Sequence, residues 1–216
     1  MHYSVEEATA LVATFRHWHH DFEIFPGVWT KGNYNPLELL RKINFPDDLT
    51  GQSVLDIGAS DGYFSLEAKK RGARVLSIDY RPKDGHGFGI METLSGFQFD
   101  YLHANLFDLK PEDLGQFDHV IFMGLLYHLP DMMRGFAMVR TLSKRLMYLE
   151  THCSPSLSPE VAAARYYRAR DLNNDLTNFW SPNVKCVADM AHDCAFDLVE
   201  GAPFGDRYFG TFSVNN

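Results

Sequence analysis

Short apolar runs alternate with helix-like or loop stretches along most of this chain. This alternation is typical of βαβ units, in which helices pack on both faces of a parallel sheet. Two late apolar runs can complete the sheet with an antiparallel edge strand. We therefore predict a doubly wound, mostly parallel α/β sheet of seven strands. The runs predicted to be strands are residues 53–57, 74–79, 99–104, 119–123, 146–150, 197–200 and 207–214.

The first 45 residues follow a different pattern. Ser4 and Glu7 have the spacing of a capping box, and the apolar residues that follow predict a helix to about His17. Residues 22–36 mix aromatic residues with Pro and Gly, which predicts an irregular lid over a pocket. We predict a single domain over 1–216, with the helix and lid in 1–45 and the core in 46–216. Further helices are predicted at 36–42, around 166–170 and at 183–195.

Composition and charge narrow the class of partner. The chain has 216 residues and a formal net charge of -8, which argues against binding to a nucleic acid. Its N-terminal sequence has no secretory pattern and no stretch is long enough to span a membrane, so we expect a cytoplasmic protein. Cys186, Met190 and Cys194 recur every four residues, which predicts a buried helical stripe and no metal site. The oligomeric state stays open.

The turn after the first predicted strand carries the clearest chemical signal. A dinucleotide fingerprint would need glycine at two positions that hold Ser60 and Tyr63. The pattern Asp-x-Gly-x-x-x-Gly, with its acid at the strand end, instead suits a ligand that carries an ammonium and a carboxylate. Asp56 would supply the negative charge, and the turn amides would face the carboxylate. The residues predicted to bind this ligand are Asp56, Gly58, Ser60, Gly62 and Tyr63.

The next strands add a second part of the same predicted site. Asp79 ends the second strand, where a carboxylate can accept both ribose hydroxyls, and Tyr80 follows it. Asn105 offers an amide at the end of the third strand. Leu106 and Phe107 follow with an apolar wall for adenine, and Leu125 would close the other face of the ring. Together these residues predict S-adenosyl-L-methionine as the cofactor and S-adenosyl-L-homocysteine as the product.

These motifs resemble those of class I S-adenosylmethionine-dependent methyltransferases, which have a Rossmann-like fold, over nearly the full chain. Within that class the chain is similar to the group related to tRNA wobble-uridine (mo5U34, carboxymethyl) methyltransferases. In those enzymes a Trp-x-Lys-Gly stretch and the Tyr of a Leu-Tyr-His segment contact a carboxylated cofactor. The resemblance therefore implies cofactor contacts for Trp29 and Lys31 and a role for Tyr127. The residues that carry it are 54–64, 72–79, 117–128, 180–183 and the segment from His20 to Gly32.

Two histidines are candidates for proton transfer. His128 follows the fourth strand and would either act as a base or only order the turn that begins there. His20 would face the substrate from the lid. The predicted reaction is methyl transfer to a small organic acceptor, at oxygen. The alternatives are a tRNA wobble-uridine methyl- or carboxymethyltransferase and a cofactor-binding protein without catalysis.

Overall fold

A computed structural model describes residues 3–215 of the chain. The described chain forms two compact units, one that extends to Asn105 and one that begins at Leu106. The first unit contains the N-terminal segment and the first three strands predicted for the sheet. Its helices and strands, in chain order, are α1 (Val5–Ala13), β1 (Glu23–Phe25), β2 (Val28–Trp29), α2 (Leu37–Lys42), β3 (Ser53–Ile57), α3 (Tyr63–Lys70), β4 (Arg74–Asp79), α4 (Gly87–Ser95) and β5 (Asp100–His103).

Three parallel strands in the order β3, β4, β5 form the sheet of the first unit. Every residue of β3 after the first is buried, as expected for a parallel strand that is covered on both faces. Ile57 lies opposite Ile78, and Asp79 lies opposite His103. The carboxyl ends of neighbouring strands therefore lie side by side, at the edge where ligands bind in sheets of this kind.

The second unit supplies the other four strands. A single 3₁₀ turn, Leu126–His128, follows the first of them. Its helices and strands, in chain order, are α5 (Pro111–Leu114), β6 (Phe117–Met123), α6 (Met132–Leu142), β7 (Ser143–His152), β8 (Ala164–Tyr166), β9 (Trp180–Pro182), α7 (Val184–Asp193), β10 (Phe196–Phe204) and β11 (Arg207–Val214).

In the sheet of the second unit the strand order is β10, β11, β7, β6. β6 and β7 are parallel, whereas β11 runs antiparallel to both β7 and β10. The buried aromatic side chains of Phe122, Tyr148 and Phe212 contribute to the core of this unit. All seven predicted strands are present, and the predicted α/β class with an antiparallel edge is confirmed. The assignment of 1–216 to one domain stays a prediction.

The predicted N-terminal helix is shorter than expected. Ser4 and Glu7 form the predicted capping box, but α1 ends at Ala13 and does not reach His17. The Thr14 hydroxyl donates to the Leu11 carbonyl, and the indole N–H of the buried Trp18 donates to the Val12 carbonyl. Carbonyls that would continue the helix are thus bonded to side chains.

Two further predictions of local structure were wrong. Residues 22–36 are not wholly irregular, because β1 and β2 form a short antiparallel hairpin within them. The helix predicted around 166–170 is absent: β8 pairs with β9 in an antiparallel ladder, and left-handed backbone follows it at Ala169 (φ 52°) and Asn173 (φ 54°). Consecutive helical dihedrals cannot pass through these positions.

The cysteine stripe on α7 differs in detail from its prediction. The fully buried residues of this helix are Val187 and Ala191, whereas Cys186, Met190 and Cys194 are only half-buried beside them. The helix itself begins as predicted, because the Asn183 side chain accepts from the Cys186 amide. Among the described residues, none of the helices has the length and apolar character needed to cross a membrane.

Candidate active site

The turn between β3 and α3 is built from left-handed backbone. Gly58 has φ 78°, Ser60 has φ 52° and Gly62 has φ 84°. A Cβ at Gly62 would also collide with the Met91 side chain and press on the Phe88 ring, so only glycine fits there. The predicted ligand-binding run therefore forms a tight turn at the carboxyl end of β3.

Several amides of this turn are already bonded within the protein. The N–H groups of Gly58 and Ala59 both donate to the Ile78 carbonyl, and the N–H of Ser60 donates to Asp79 Oδ2 at 2.8 Å. These bonds fix the turn against the end of β4. These three amides are therefore not free to contact a ligand carboxylate. For the other amides of the turn, that contact stays a prediction.

Asp79 is buried, and its carboxylate joins the turn after β3 to the backbone that follows β4. Its Oδ1 accepts from the Arg81 amide at 2.9 Å and from Arg81 Nε at 3.2 Å, while Oδ2 accepts from Ser60. Each carboxylate oxygen has two lone-pair sites, and Oδ1 already uses both, so one further hydrogen bond from a ligand hydroxyl can be accepted at Oδ2. Tyr80 is exposed beside it, with the Arg81 guanidinium over its ring. Asn105 is exposed two residues beyond the end of β5.

Asp56 lies in β3, buried behind the turn. The Ser65 hydroxyl donates to its Oδ2 at 2.6 Å, and that hydroxyl also meets the Ser77 hydroxyl at 2.7 Å. Burial raises the pKa of Asp56 to about 6, and the nearby charge of Asp79 adds to that rise. The negative charge predicted here is therefore expensive to bury, which is a common feature of functional sites.

The lid segment is fastened to the turn through one residue, Asp61. Its Oδ2 accepts from the backbone amides of His19 and His20, and its Oδ1 lies 2.5 Å from His20 Nδ1. The Thr30 hydroxyl donates to the His20 carbonyl, and a Cβ at Gly32 would collide with the His20 backbone. The predicted His20 is thus held rigidly in the lid, directly against the turn.

Two other predicted residues lie in the same lid but face outward. Trp29 is 49% exposed, and Lys31 is exposed with left-handed backbone at φ 60°. The Lys31 amide donates to Asp21, so the backbone of this residue is fixed even though its side chain extends into solvent. Tyr63, by contrast, is buried, and its ring packs near those of His20 and Phe22.

In the second unit, Tyr127 and His128 lie in the 3₁₀ turn that follows β6. His128 Nδ1 lies 2.9 Å from the Thr177 hydroxyl and 3.1 Å from the Thr177 carbonyl. That hydroxyl donates its own proton to Asp175, so His128 Nδ1 must be the donor and Nε2 carries the lone pair. Burial lowers the pKa of His128, and the ring is therefore neutral at pH 7.

Glu150 and Arg207 form a second cluster in this unit. The Glu150 carboxylate, which is 5% exposed, accepts from both Nε and a terminal nitrogen of Arg207. The same guanidinium lies over the Tyr127 ring at 4.8 Å, and it approaches the Tyr127 hydroxyl at 3.5 Å. Leu106 is buried in this unit, while Phe107 and Leu125 are half-buried, and the Arg134 guanidinium covers the Phe107 ring at 4.4 Å.

Comparison with known families decides the class. The model of a family described as a methyltransferase domain matches residues 30–193, which is most of the chain. The chain belongs to this methyltransferase domain family. The class predicted from the turn and from Asp79 is thereby confirmed, while the narrower resemblance to the wobble-uridine group stays a prediction.

Curated relatives of this methyltransferase domain include ubiquinone biosynthesis O-methyltransferases. The protein from Xanthomonas euvesicatoria pv. vesicatoria (strain 85-10) is 37% identical over 97 residues, which cover 45% of this chain and 40% of the relative. The protein from Bordetella parapertussis (strain 12822) is 33% identical over 127 residues, covering 59% of this chain and 50% of the relative. The matched part thus spans half or less of the length of these relatives.

Solved structures share the fold across most of the methyltransferase domain. The N-terminal domain of EvdMO1 with SAH bound has a TM-score of 0.71 at 18% identity and covers 99% of this chain and 97% of that one. The 1,6-didemethyltoxoflavin-N1-methyltransferase of Burkholderia thailandensis has a TM-score of 0.61 at 16% identity, with 77% and 72% covered. At these identities the likeness concerns the fold.

Some residues of the site had no role in the sequence-based prediction. Asp61 lies inside the turn motif, but its bonds to the lid depend on a segment about 40 residues away, which no local pattern reveals. Ser65 lies on the first turn of α3 and could have been suspected from its position after the motif. Glu150 and Arg207 meet only because β7 and β11 pair. Among the described residues, no group of three or more potential metal ligands is found.

Proposed function

We propose that this chain is an S-adenosylmethionine-dependent methyltransferase that acts on an oxygen atom of a small organic acceptor. The observation that carries the proposal is the bond from the Ser60 amide to Asp79, which joins the glycine turn to the acid at the end of the next strand. This arrangement places a carboxylate suited to ribose hydroxyls beside the turn at the carboxyl end of β3, which is where ligands bind in sheets of this kind.

The comparisons support the donor and the class of acceptor. Three structural neighbours, each matched over 72% or more of its length, hold S-adenosylhomocysteine or S-adenosylmethionine. The curated relatives are named as O-methyltransferases of ubiquinone biosynthesis, which favours oxygen as the methylated atom. A net charge of -8 favours a small acceptor over the polyanion that a tRNA enzyme must bind. A cytoplasmic location stays a prediction.

Calorimetric titration with S-adenosylhomocysteine tests the donor site. We expect Asp79→Ala to weaken binding by at least about 10-fold, because the ribose loses a charged hydroxyl acceptor and the Ser60 amide loses the acceptor that fixes the turn. Asp100→Ala is the matched control, since this exposed acid lies at the amino end of β5, the opposite end of the same sheet. Circular dichroism checks that both variants are folded. Equal affinity in Asp79→Ala and Asp100→Ala would contradict the site.

Transfer of a labelled methyl group tests the acceptor class. Wild-type protein, labelled S-adenosylmethionine and a small-molecule cell extract should yield labelled small molecules, whereas bulk tRNA should stay unlabelled. Label in tRNA would favour a wobble-uridine enzyme and a role for Trp29, Lys31 and Tyr127 with a carboxylated cofactor. Binding of S-adenosylhomocysteine without transfer to any fraction would indicate a cofactor-binding protein without catalysis.

A further inference from the structure

His20 is a buried histidine with one ring nitrogen committed to a carboxylate. The residue is only 6% exposed, and Asp61, which is 2% exposed, lies 2.5 Å from its Nδ1. Asp61 also accepts both the His19 and the His20 backbone amides. Burial alone would raise the pKa of Asp61, but the interactions with His20 outweigh burial and lower it. Asp61 is therefore an ionised acceptor.

An ionised Asp61 fixes the tautomer of the ring. A carboxylate only accepts, so the proton between the two side chains belongs to His20 Nδ1, and in the neutral ring that acts as a base Nε2 carries the lone pair. Within the described residues, Nε2 has no hydrogen-bond partner. The fully enclosed side-chain atoms without a partner belong to Arg140, Asn178 and Tyr208, so Nε2 of His20 keeps some exposure. The basic nitrogen is therefore neither hydrogen-bonded within the protein nor fully enclosed, and it is available to a ligand.

The position of the pair relates it to methyl transfer. Asp61 lies between Ser60 and Gly62 in the turn assigned to the methyl donor, and His20 lies in the lid over that turn. The lid also presents the exposed rings of Trp29 and Tyr34, which are suited to a planar or apolar acceptor. A basic nitrogen, a donor turn and an aromatic surface thus occur together within the first unit.

We propose that His20 is the general base of the reaction, that Asp61 is its positioning residue, and that the acceptor is a hydroxyl compound. This proposal rests on the proposed methyltransferase function. Nε2 takes the proton of the acceptor O–H as the oxygen forms its bond to the methyl carbon. The S–CH₃ bond breaks with its electron pair staying on sulfur, which leaves S-adenosylhomocysteine and an imidazolium. That imidazolium, stabilised by the Asp61 carboxylate, returns its proton to water.

His128 in the second unit is less suited to this step. Its Nδ1 donates to a neutral hydroxyl and a neutral carbonyl of Thr177, and the Asp175 carboxylate is bonded to that hydroxyl and not to the ring itself. Burial lowers the pKa of His128, which shows that its imidazolium is disfavoured. The carboxylate partner is the feature that distinguishes His20.

The pH dependence of methyl transfer is the test. The groups that face His20 are His19 of the lid, Asp61 of the turn and Tyr63 of α3, and Asp56 of β3 adds its charge. With the extract acceptor, His20→Gln should lower kcat at pH 7 by roughly 100- to 10000-fold. The deficit should shrink as pH rises toward 9.5, because hydroxide then ionises the acceptor without the base. A structural defect would lower kcat equally at every pH.

Two variants complete the design. Asp61→Asn should lower kcat more than it raises KM, since it removes the charged acceptor while His20 remains. His192→Asn is the matched control, because His192 and Asp197 form an exposed His–Asp pair at 3.2 Å in the second unit. It should transfer at the wild-type rate. His20→Gln keeps both backbone bonds to Asp61, so it remains informative if Asp61→Asn does not fold.

The outcomes separate the assignment of His20 as the base from the proposed methyltransferase function. Binding of S-adenosylhomocysteine should be unchanged within about 3-fold in His20→Gln. Wild-type transfer together with a wild-type rate in His20→Gln, or a deficit that is constant with pH, would overturn the base assignment alone. Transfer by the wild type to amines or carbon and to no hydroxyl would overturn the acceptor class. Absence of wild-type transfer to any fraction would overturn the proposed function and this proposal with it.

Discussion

His20 in the first unit and His128 in the second are held in the same neutral tautomer, but the groups that accept from their Nδ1 atoms differ in charge. In the first unit the ionised Asp61 accepts from His20 Nδ1, and in the second unit the neutral Thr177 accepts from His128 Nδ1. Both arrangements leave Nε2 as the basic nitrogen. Only the first places a carboxylate directly on the ring, where it compensates the charge that appears when Nε2 takes a proton; in the second the Asp175 carboxylate contacts only the Thr177 hydroxyl.

The buried acids of the two units differ in a parallel way. In the first unit, Asp61 and Asp79 each accept two backbone amides besides one side-chain donor, and they hold the lid and the turn in unusual backbone conformations. In the second unit, the Glu150 carboxylate is neutralised by Arg207. An acid bonded to amides shapes the chain, whereas an acid paired with a guanidinium depends on a single residue for its charge balance.

The dependence of Glu150 on Arg207 gives the largest expected effect on stability. Arg207→Met leaves the Glu150 carboxylate buried without a cation, and we expect the free energy of unfolding to fall by about 3–5 kcal/mol. Urea unfolding of the unliganded protein at pH 7 measures the change. Arg168→Met, an exposed arginine of the same unit, is the control and should change stability by less than about 0.5 kcal/mol.

A double variant sharpens this comparison. Replacing both members by apolar residues, as Glu150→Leu with Arg207→Met, removes the unpaired charge and should recover much of the lost stability. Recovery would show that the pair matters through charge balance. A double variant that is less stable than Arg207→Met would instead show that the hydrogen bonds of Glu150 stabilise the unit by themselves.

Asp56 gives a prediction of intermediate size, and its sign depends on pH. Burial raises the pKa of Asp56 from 3.8 to about 6, so the folded state binds a proton more tightly than the unfolded state does. The stability from this group is complete below pH 3.8 and is lost as pH rises through about 6, a loss of about 3 kcal/mol. Asp56→Asn has no such loss.

The measurement is the difference in unfolding free energy between Asp56→Asn and wild type, in the absence of cofactor. We expect this difference to shift by about 2 kcal/mol in favour of the variant between pH 4 and pH 7, since part of the full change lies below pH 4. Groups common to both proteins cancel in the difference. A difference that stays constant with pH would show that Asp56 titrates normally in the folded protein, and that the Ser65 hydroxyl compensates its burial.

Sequence patterns predicted the strands and the donor turn well because both are local. The boundaries of β3, β4 and β11 agree with the predicted runs, since alternating and continuous apolar patterns report burial directly. The lid and the segment after β7 were harder, because side-chain bonds end α1 and cross-strand pairing orders β8. The roles of Asp61 and Arg207 depend on partners distant in sequence, so only the folded chain reveals them.

The smallest expected effect concerns the histidine of the second unit. Thr177→Val keeps the shape of the side chain and removes only its hydroxyl, while the Thr177 carbonyl still accepts from His128 Nδ1 at 3.1 Å. We expect a loss of at most about 2 kcal/mol in the free energy of unfolding, because the exposed hydroxyl loses its hydrogen bonds to His128 and to the Asp175 carboxylate. Methyl transfer should stay within about 2-fold of the wild-type rate, since the tautomer of His128 is preserved and the base is assigned to His20. A fall in kcat of about 10-fold or more, recovered by raising the pH, would instead transfer the proton-accepting role from the first unit to His128.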